Sequence, residues 1–353
     1  MTEPLRCALV GAGRIAQSYA HALAGCHELR PVAVVDVNAE AARAVARLLG
    51  CSACASAEEL IATRPGLEAV IVCTPPSTHR NLCGLFVRQG WHVLCEKPFS
   101  LDVRSARTML AAARKAGVLL TMASKFRYVA DVIEARILVR SGLLGEVVLF
   151  ENVFASRVDM SRRWNADPAV SGGGVLIDNG THSVDLLRFF LGPLAEVQAV
   201  EGKRVQQLAV EDTVRIFVRS AQGVLGSIDL SWSINKEQDA YLTIHGSQGT
   251  LSVGWKESKY RLHASPEWVV FGKGYDKVQA FRRQLVNFAR AIRGEEALVI
   301  SAEDALASVE VVAAAYRSLR HSHWTAVPAG RRRRAAVIAD GVPLLAPAVV
   351  KES

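Results

Sequence analysis

The sequence predicts an α/β protein in which a doubly wound parallel sheet is followed by a second domain built on antiparallel strands. The chain has 353 residues, which is more than one ordinary domain needs and suits two. Up to residue 123, short apolar strands alternate with helices, and this order indicates a parallel sheet covered on both faces. Later stretches alternate apolar and polar residues, which is typical of antiparallel strands with one solvated face.

Short buried strands and the helices between them account for the first domain. Runs rich in valine, isoleucine and leucine predict strands, and alanine-rich or amphipathic runs predict helices. The strands are expected at residues 5–10, 31–37, 70–73, 93–95 and 118–121. The helices are expected at residues 15–25, 39–50, 78–89 and 102–116.

The second domain is expected to start with a helix at residues 130–141 and to end with two amphipathic helices, at 277–293 and 302–319. The strands between them are expected at residues 146–156, 195–200, 213–218, 223–232, 241–244 and 250–253. The glycine-containing segment 245–250 is interpreted as a structural hairpin. The resulting division is a first domain at 1–123, a second domain at 124–325 and a loosely ordered basic tail at 326–353.

Composition excludes several classes of protein. Half of the residues are apolar, 22% are charged and the mean hydropathy is +0.18, so the chain can form full cores and is not a disordered chain. Apolar runs such as residues 69–73 are far shorter than the roughly 18 residues of a membrane-spanning helix. Residues 1–10 lead into a strand without a secretory signal pattern, so a cytoplasmic location is expected.

The cysteine pattern argues against both disulfides and metal. All seven cysteines lie before residue 96, and their odd number is typical of reduced, mostly buried thiols. Cys51 and Cys54 form a CxxC, but a zinc ribbon needs a second pair and a thioredoxin-type site needs a different context. No metal is therefore expected.

Part of the net charge of +8 belongs to the C-terminal tail, since residues 331–353 carry a net charge of +3. The four arginines at 331–334 form a run that is typical of a solvated, flexible segment. No basic face with interspersed aromatic residues accompanies the run, so nucleic acid is not expected as a partner.

A GxGxxA motif joins the first predicted strand to the first predicted helix. Gly11 allows the tight turn, Gly13 lets the backbone approach a pyrophosphate, and Ala16 lets the helix pack closely on the strand. Arg14 and Ile15 stand where the helix is expected to begin, and the first N–H groups of a helix favour an anion. The motif therefore predicts a dinucleotide-binding domain.

Asp36 follows the second strand, about 20 residues after the glycine motif. A carboxylate there accepts hydrogen bonds from the adenosine ribose and repels a 2′-phosphate, which predicts NAD rather than NADP. Arg43 lies on the following helix and could attract that phosphate, so NADP stays open. Capping of the helix near residue 39 is an alternative role for Asp36 and is compatible with ribose binding.

Two further segments carry reactive side chains. The Glu-Lys-Pro segment at 96–98 follows a predicted strand at its C-terminal end, which is the edge of a doubly wound sheet where ligands bind. A glycine run at 172–174 forms a flexible approach to a second predicted helix. That helix carries three polar residues at the i, i+4 and i+7 positions of one face, namely Asp178, His182 and Asp185.

Together these motifs resemble those of the Gfo/Idh/MocA family of oxidoreductases, named after glucose–fructose oxidoreductase, inositol dehydrogenase and a rhizopine-catabolism protein. The resemblance implies a Rossmann domain followed by an α+β domain with a large open mixed sheet. Such a sheet commonly forms the oligomer interface in the family, so a homo-oligomer, a dimer or tetramer, is implied. The matching segments are GAGRIA at 11–16, TPPSTH at 74–79, EKP at 96–98 and GGGVLIDNGTHSVD at 172–185, in order within about residues 5–320.

The resemblance also implies site residues. The implied catalytic set is Lys97, Asp178 and His182. Motif and resemblance together predict that cofactor is bound by Gly11, Gly13, Arg14, Ile15, Asp36, Thr74, Pro75, Pro76, His79, Glu96 and Lys97.

The chemistry of alcohol oxidation suits this catalytic set. An imidazole with a pKa near 6.5 can remove the hydroxyl proton as hydride leaves carbon for the nicotinamide, so His182 is expected to be the base. The Lys97 ammonium would stabilise alkoxide character, and Asp178 would hydrogen-bond the substrate or orient the other two.

Two segments are expected to select the substrate. The first follows the last Rossmann strand and contributes Lys125 and Arg127; many members of the family have an asparagine in place of Lys125. The second contributes Arg157, Arg163 and Trp164, which suit a sugar bearing a carboxylate or phosphate, or a nucleotide sugar. An exposed basic loop is the alternative interpretation of this second segment.

The function predicted from these residues is an NAD-dependent dehydrogenase or reductase acting on a secondary hydroxyl or keto group of a sugar, cyclitol, amino sugar or nucleotide sugar. The alternative is a hydrolase or lyase that oxidises its sugar transiently with bound NAD, and net turnover of cofactor separates the two. A cofactor-binding regulator without chemistry ranks last, because Lys97, Asp178 and His182 are all present.

Overall fold

The computed structural model describes residues 3–64 and 66–328. Its first sheet has six parallel strands in the order β3-β2-β1-β4-β5-β6. The five strands expected from the sequence are present within a few residues of their predicted ends, and β3 is an additional edge strand too short to leave a pattern. The strands are β1 Leu5–Val10, β2 Leu29–Val35, β3 Ser52–Cys54, β4 Ala69–Val72, β5 His92–Glu96 and β6 Leu120–Ala123.

Helices cover both faces of this sheet, and their caps explain where they begin. Asn38 and Asp102 cap α2 and α5, each with a side-chain oxygen that accepts a backbone N–H of the first turn. The helix α3 was not expected, although Ser56 followed by Glu59 is a capping sequence that predicts its start. The helices are α1 Arg14–Leu23, α2 Ala39–Leu49, α3 Ala57–Thr63, α4 His79–Arg88 and α5 Val103–Ala116.

The strand order reverses between β1 and β4, and this reversal opens a crevice at the C-terminal edge of the sheet. Gly11 follows β1, and its backbone N–H donates to the Val35 carbonyl at 2.7 Å. Thr74 follows β4 on the other side of the crevice. The glycine motif therefore stands at the point where doubly wound sheets bind ligands.

The second sheet has nine strands in the order β14-β13-β12-β11-β7-β10-β9-β8-β15. Only β7 and β10 pair in parallel among these described strands; all other neighbours are antiparallel, so the sheet is mixed. The six expected strands are present, and the short strands β13, β14 and β15 were not expected. The strands are β7 Val147–Ala155, β8 Leu194–Glu201, β9 Thr213–Ser220, β10 Leu225–Ser231, β11 Ala240–Gly246, β12 Gly249–Gly254, β13 Ser258–Leu262, β14 Val269–Gly272 and β15 Thr325–Ala326.

Helices cover one face of the second sheet. Along its strands, buried apolar residues on that face alternate with polar residues on the opposite face. In β9, Val214, Ile216 and Val218 are buried, whereas Arg215 and Arg219 are exposed. The fold class predicted from the sequence is therefore confirmed, with a parallel Rossmann sheet and a separate open mixed sheet. The remaining helices are α6 Ala130–Arg140, α7 Pro168–Ser171, α8 Val175–Leu191, α9 Lys277–Ile292 and α10 Ala302–His321.

The two C-terminal helices connect the two halves of the molecule. Phe281 and Phe288 of α9 belong to the same apolar core as Tyr19 of α1, and the rings of Tyr19 and Phe281 meet edge to face at 4.6 Å. Ala305 of α10 packs into a core of the first sheet, while Val311 packs into the core of the second. A division at residue 124 therefore follows the sheets but places α9 away from the core in which it packs.

The remaining features bear on the sequence-based exclusions. All seven cysteines are free thiols. Within residues 3–64 and 66–328, no helix is long and apolar enough to cross a membrane. The tail expected at 326–353 begins inside β15, and the arginine run at 331–334 lies outside the described residues.

Candidate active site

A cavity of about 430 Å³ lies between the C-terminal edge of the first sheet and the strands of the second. Ile15 of the glycine motif lines the same cavity as Lys97 and His182. Three segments remote in sequence thus converge on a volume typical of small-molecule sites. The lining residues are Ile15, Lys97, Lys125, Phe126, Val153, Phe154, Ala155, Ser156, Asp178, Asn179, His182, Lys236, Gln238, Ala240 and Trp255.

The glycine motif fits a dinucleotide. Gly11 has a φ of +100°, and a Cβ there would lie 2.8 Å from the Cys73 carbonyl carbon, so only glycine suits the turn. A Cβ on Gly13 would meet open space, where a cofactor phosphate could approach. Within the described chain, α1 has no side-chain cap and no acidic residue in its first turn, so its first N–H groups are available to an anion.

Asp36 lies beside this motif at the end of β2. Its Oδ2 accepts the Ala12 N–H at 2.6 Å and its Oδ1 accepts the Asn38 N–H at 2.8 Å. The half-buried carboxylate is thus held at the edge where the adenosine ribose lies in such sheets. Asn38, and not Asp36, caps α2, which corrects the alternative role considered for Asp36.

Lys97 and Asp178 form an ion pair across the crevice. The Lys97 ammonium donates to the Asp178 carboxylate and, at 3.1 Å, to the Asp178 carbonyl. Lys97 follows β5 and Asp178 stands in the first turn of α8, so the pair joins the two domains. Their side chains stay 16% and 21% exposed, and both line the cavity.

His182 lies one helical turn after Asp178 and is 7% exposed. Its Nε2 is 3.5 Å from the Lys125 ammonium, and its Nδ1 has no partner among the described residues. Burial, followed by the charges of Lys125 and Lys97, holds the pKa of His182 well below its usual range. The imidazole is therefore neutral at neutral pH and can accept a proton.

Lys125 stands next to His182 in the short 3₁₀ turn Lys125–Tyr128 after β6. Its ammonium is 4.7 Å from the centre of the Phe126 ring, within cation–π distance. Burial and the nearby Lys97 charge lower the pKa of Lys125 to about 8. The structure therefore brings Lys97, Lys125, Asp178 and His182 together around one cavity.

Three residues expected to bind the cofactor are buried. His79 is fully buried, and its Nδ1 and Nε2 are 3.0 and 2.9 Å from the Pro98 and Thr74 carbonyls, so it fixes two loops and has no surface for a cofactor. Pro76 and Glu96 are also buried. This corrects the contact roles of all three, while Thr74 and Pro75 remain half-buried at the crevice.

Glu96 supports the lysine that follows it. Its carboxylate accepts the Tyr19 O–H at 2.8 Å and the Lys97 backbone N–H at 3.0 Å, and burial raises its pKa. Gln284 of α9 donates to the Tyr19 oxygen at 3.1 Å. The network therefore anchors the end of β5 to two helices.

Arg127 was expected to bind substrate, and the structure overturns this. Its guanidinium is 3% exposed and pairs with Asp185 through two bonds of 2.6 and 2.9 Å. A further contact of 3.2 Å reaches Asp304 of α10. Because the buried guanidinium has protein partners on both sides, Arg127 is a structural residue that ties α8 and α10 to the end of β6.

The basic loop is only partly near the cavity. Arg157 and the 44% exposed Trp164 are not among the residues that line it. Arg163 is half-buried; burial and the charge of Arg14 lower its pKa, while Asp178 opposes this effect. Arg163 does not line the cavity either, but its charge interacts with Arg14 of the glycine motif and with Asp178 of the ion pair.

The glycine run before α8 is closely packed, which corrects its interpretation as a flexible approach. A Cβ on Gly174 would overlap the Glu211 backbone, and one on Gly173 would overlap the Tyr316 ring. The buried Glu211 carboxylate accepts the Gly174 N–H at 2.9 Å and the Tyr316 O–H at 2.8 Å. The start of α8 is therefore fixed, and Asp178 and His182 are held with it.

Sequence reasoning missed an aromatic wall of the cavity. Trp255, directly after β12, is 41% exposed and packs on Tyr241 at 4.7 Å between ring centres. Phe126 and Phe154 meet at 4.8 Å on the same wall. Apolar residues in strands and turns look like core residues, so no pattern distinguishes these rings. The other lining residues that were missed are Val153, Ala155, Ser156, Asn179, Lys236, Gln238 and Ala240.

A dinucleotide-binding sheet whose crevice opens into a cavity with a lysine, an aspartate and a histidine defines a nicotinamide-dependent oxidoreductase of CH–OH groups. Comparison with family models agrees. Residues 5–124 match the model of the oxidoreductase family with an NAD-binding Rossmann fold, and residues 132–252 match the Gfo/Idh/MocA C-terminal domain. The chain therefore belongs to the Gfo/Idh/MocA family, as its motifs predicted, and NAD is its class of cofactor.

Curated relatives and solved structures share nearly the whole chain. Inositol 2-dehydrogenase of Rhizobium meliloti is 27% identical over 89% of this chain and 97% of its own length. The scyllo-inositol 2-dehydrogenase (NAD(+)) of Bacillus subtilis is 24% identical over 91% and 96%. GenD2 from gentamicin A biosynthesis, solved in complex with NAD, has a TM-score of 0.83 and 26% identity over 93% and 98%. The two curated relatives are dehydrogenases and give no support to the hydrolase or lyase alternative.

Proposed function

We propose that this protein is an NAD-dependent dehydrogenase that oxidises a secondary hydroxyl of a sugar, cyclitol or sugar derivative, or reduces the matching ketone. The observation that carries the proposal is the shared cavity, in which Ile15 of the dinucleotide motif lies with Lys97, Asp178 and His182. A substrate there would meet the cofactor and the proton-transfer groups at once.

Residues at the crevice would hold the cofactor. The N-terminus of α1 after Gly13 suits the pyrophosphate, and Asp36 suits the adenosine ribose and disfavours a 2′-phosphate. Thr74 and Pro75 are expected at the nicotinamide end. When bound, NAD supplies the nicotinamide C4 that accepts hydride from the substrate carbon.

His182 would act as the general base. Its neutral imidazole takes the hydroxyl proton as hydride leaves the same carbon, and returns it in the reducing direction. Nε2 is the nitrogen that faces the cavity lysine, so we assign the proton transfer to Nε2. The buried Nδ1 would then carry the ring's other proton.

Lys97 would stabilise the negative charge that develops on the substrate oxygen. Its ammonium is held by the Asp178 carboxylate and carbonyl, so it is placed before substrate arrives. A fixed cation in a partly buried site requires little reorganisation during the reaction. Asp178 is the positioning partner in this arrangement.

The walls of the cavity suit a ring with hydroxyls. The exposed face of Trp255 offers a surface on which the apolar face of a sugar or cyclitol ring can stack. Asn179 and Gln238 supply amide donors and acceptors for hydroxyl groups. A polyol is therefore a better occupant than a purely apolar alcohol.

The direct test is NADH formation by the purified full chain with a panel of inositols, aldoses, amino sugars, sugar acids and nucleotide sugars. The proposal expects stoichiometric NADH from at least one class, and a His182→Ala variant that binds NAD but forms no NADH at neutral pH. Cleavage of a glycoside without net NADH would overturn it, as would binding of NAD with no turnover of any polyol.

A further inference from the structure

The cavity contains three lysines, and two of them have carboxylate partners. Lys97 pairs with Asp178, and Lys236 pairs with Asp229. Among the described residues, no carboxylate lies within ion-pair distance of the Lys125 ammonium. Within the described residues, the Lys125 ammonium therefore has no ion-pair partner of its own at the wall of the site.

The immediate contacts of Lys125 cannot neutralise it. They are the imidazole Nε2 of His182 at 3.5 Å and the rings of Phe126 and Phe281, whose centres are 4.7 and 6.0 Å away. The Glu96 carboxylate lies beyond ion-pair distance; its charge favours the ammonium form of Lys125, but less strongly than burial and Lys97 disfavour that form. The charged and titratable groups that face Lys125 from the surrounding elements are Lys97, Glu96, Lys277, Asp178 and His182.

An ammonium in this position costs free energy when the cavity holds no anion. Burial and the neighbouring cation Lys97 lower the pKa of Lys125, which measures that cost. A neutral polyol would leave the charge uncompensated, whereas an anion would neutralise it. The side chain of an asparagine, the residue common in the family at this position, would carry no such cost.

We propose that the substrate carries a carboxylate, so that it is a sugar acid or cyclitol acid, and that Lys125 binds this carboxylate. The inference rests on the proposed dehydrogenase function and narrows its substrate class. A carboxylate is preferred to a phosphate because only one unpaired ammonium lines the described cavity, whereas a phosphate dianion is usually bound by several donors. With His182 Nε2 3.5 Å away, the acid group should lie close to the reacting carbon.

The first test compares matched substrates that differ only in the acid group, such as glucose with glucuronate and galactose with galacturonate, together with a sugar phosphate. We expect the wild-type kcat/KM to favour an acid over its neutral partner by roughly tenfold or more, the range of a charge-assisted hydrogen bond. Lys125→Asn should remove most of that preference, chiefly through KM. Lys273→Asn, which removes an exposed cation outside the cavity lining, should keep it.

The outcomes separate this proposal from the function on which it rests. Preference for neutral sugars, preference for the phosphate, or an equal loss on acids and neutral sugars in Lys125→Asn would each overturn the carboxylate proposal while leaving the dehydrogenase intact. Absence of NADH formation from every polyol, acids included, would overturn the proposed function itself.

A second test needs no active variant. Calorimetric binding of the sugar acid to the NADH-bound enzyme should weaken as the pH rises from about 7 to about 9.5, since Lys125 loses its proton through about pH 8. Lys125→Arg, whose guanidinium stays charged, should abolish this weakening. Affinity that does not change with pH in the wild type, or that falls equally in Lys125→Arg, would contradict the proposal.

Discussion

The helix α8 meets the turn after β6 at two neighbouring clusters of charged and titratable side chains, here called the open and the closed cluster. In the open cluster, Lys125 faces His182, and both line the cavity. In the closed cluster, two residues further along the turn, Arg127 binds Asp185 in the interior. The two clusters share the same helix and the same turn. The difference between them is whether protein groups or a ligand complete the hydrogen bonds.

The closed cluster is saturated by protein partners. The Asp185 carboxylate accepts two bonds from Arg127 and one of 2.6 Å from the Ser124 hydroxyl. The remaining guanidinium nitrogen reaches Asp304 and the Val299 carbonyl, both at 3.2 Å. Such a pair stabilises one arrangement of the elements and leaves no group available to a substrate.

The open cluster contains polar groups that lack a protein partner. The Nδ1 of His182 has no partner in the described part of the chain, and Lys125 lacks an anion. Buried polar groups in native proteins are normally satisfied, so the exceptions call for an explanation. Lys125 lines the cavity, which indicates that a substrate group completes its interactions, whereas the buried His182 Nδ1 is not accessible to substrate.

The largest effect is expected from the open side. Lys97→Ala should reduce kcat/KM by about a thousandfold or more, because the fixed ammonium that stabilises the alkoxide is lost. Affinity for NAD and the thermal midpoint should change little, since both ends of the Lys97–Asp178 pair are partly exposed. Steady-state kinetics, NAD titration and thermal unfolding measure the three quantities. Turnover near the wild-type level would remove Lys97 from the mechanism.

A substitution in the closed cluster should lower the stability of the fold. Arg127→Met leaves the Asp185 carboxylate buried without its guanidinium, so we expect the free energy of unfolding to fall by about 3–5 kcal/mol. Denaturant unfolding measures this value. The double variant Arg127→Met with Asp185→Leu is the matched control, because it removes both charges and should recover much of the loss.

The KM of the same variant tests whether Arg127 contacts the substrate. Folded Arg127→Met protein, assayed well below its unfolding midpoint, should keep the wild-type KM. A large rise in KM with unchanged stability would restore Arg127 as a substrate ligand and would contradict the distinction between the two clusters.

The sequence could predict the open cluster only in part. The spacing of Asp178, His182 and Asp185 places all three on one face of a helix, and the structure agrees. Arg127 binds Asp185 of that face. Spacing cannot show that Arg127 also contacts Asp304, which is more than a hundred residues away in sequence. Whether a charged side chain is available to substrate depends on how distant segments pack around it. Local sequence patterns carry no information about that packing.

The fold was more predictable than the site walls. Strong period-two and helical patterns gave most strands and helices of both sheets, because those patterns follow from which faces are buried. The aromatic wall around Trp255 and the packing of α9 on α1 depend on contacts between distant segments. Short strands such as Ser52–Cys54 and Thr325–Ala326 contain too few residues to form a pattern.

Asp36, at the cofactor end of the crevice, can be compared with the Asp185 carboxylate of the closed cluster. Asp36 is half-buried and, unlike Asp185, binds only backbone N–H groups among its described partners. Asp36→Ala should weaken NAD by about tenfold and NADP much less, because the repulsion of a 2′-phosphate disappears together with the ribose contact. Fluorescence titration with NADH and NADPH measures both affinities. An equal loss for both would show that Asp36 does not contact the ribose.

The smallest effect tests whether the two members of the open cluster are electrostatically coupled. The Lys125 charge disfavours the imidazolium form of His182, so Lys125→Met should raise the pKa of His182 toward its usual range. The base must be unprotonated to accept the substrate proton, and the acid limb of kcat/KM for a neutral polyol should therefore move to higher pH. Lys273→Met, which removes an exposed charge outside the cavity, is the control and should leave the limb in place. An acid limb unchanged by Lys125→Met would mean that the ammonium does not act on the imidazole, and Lys125 would then be a substrate ligand alone.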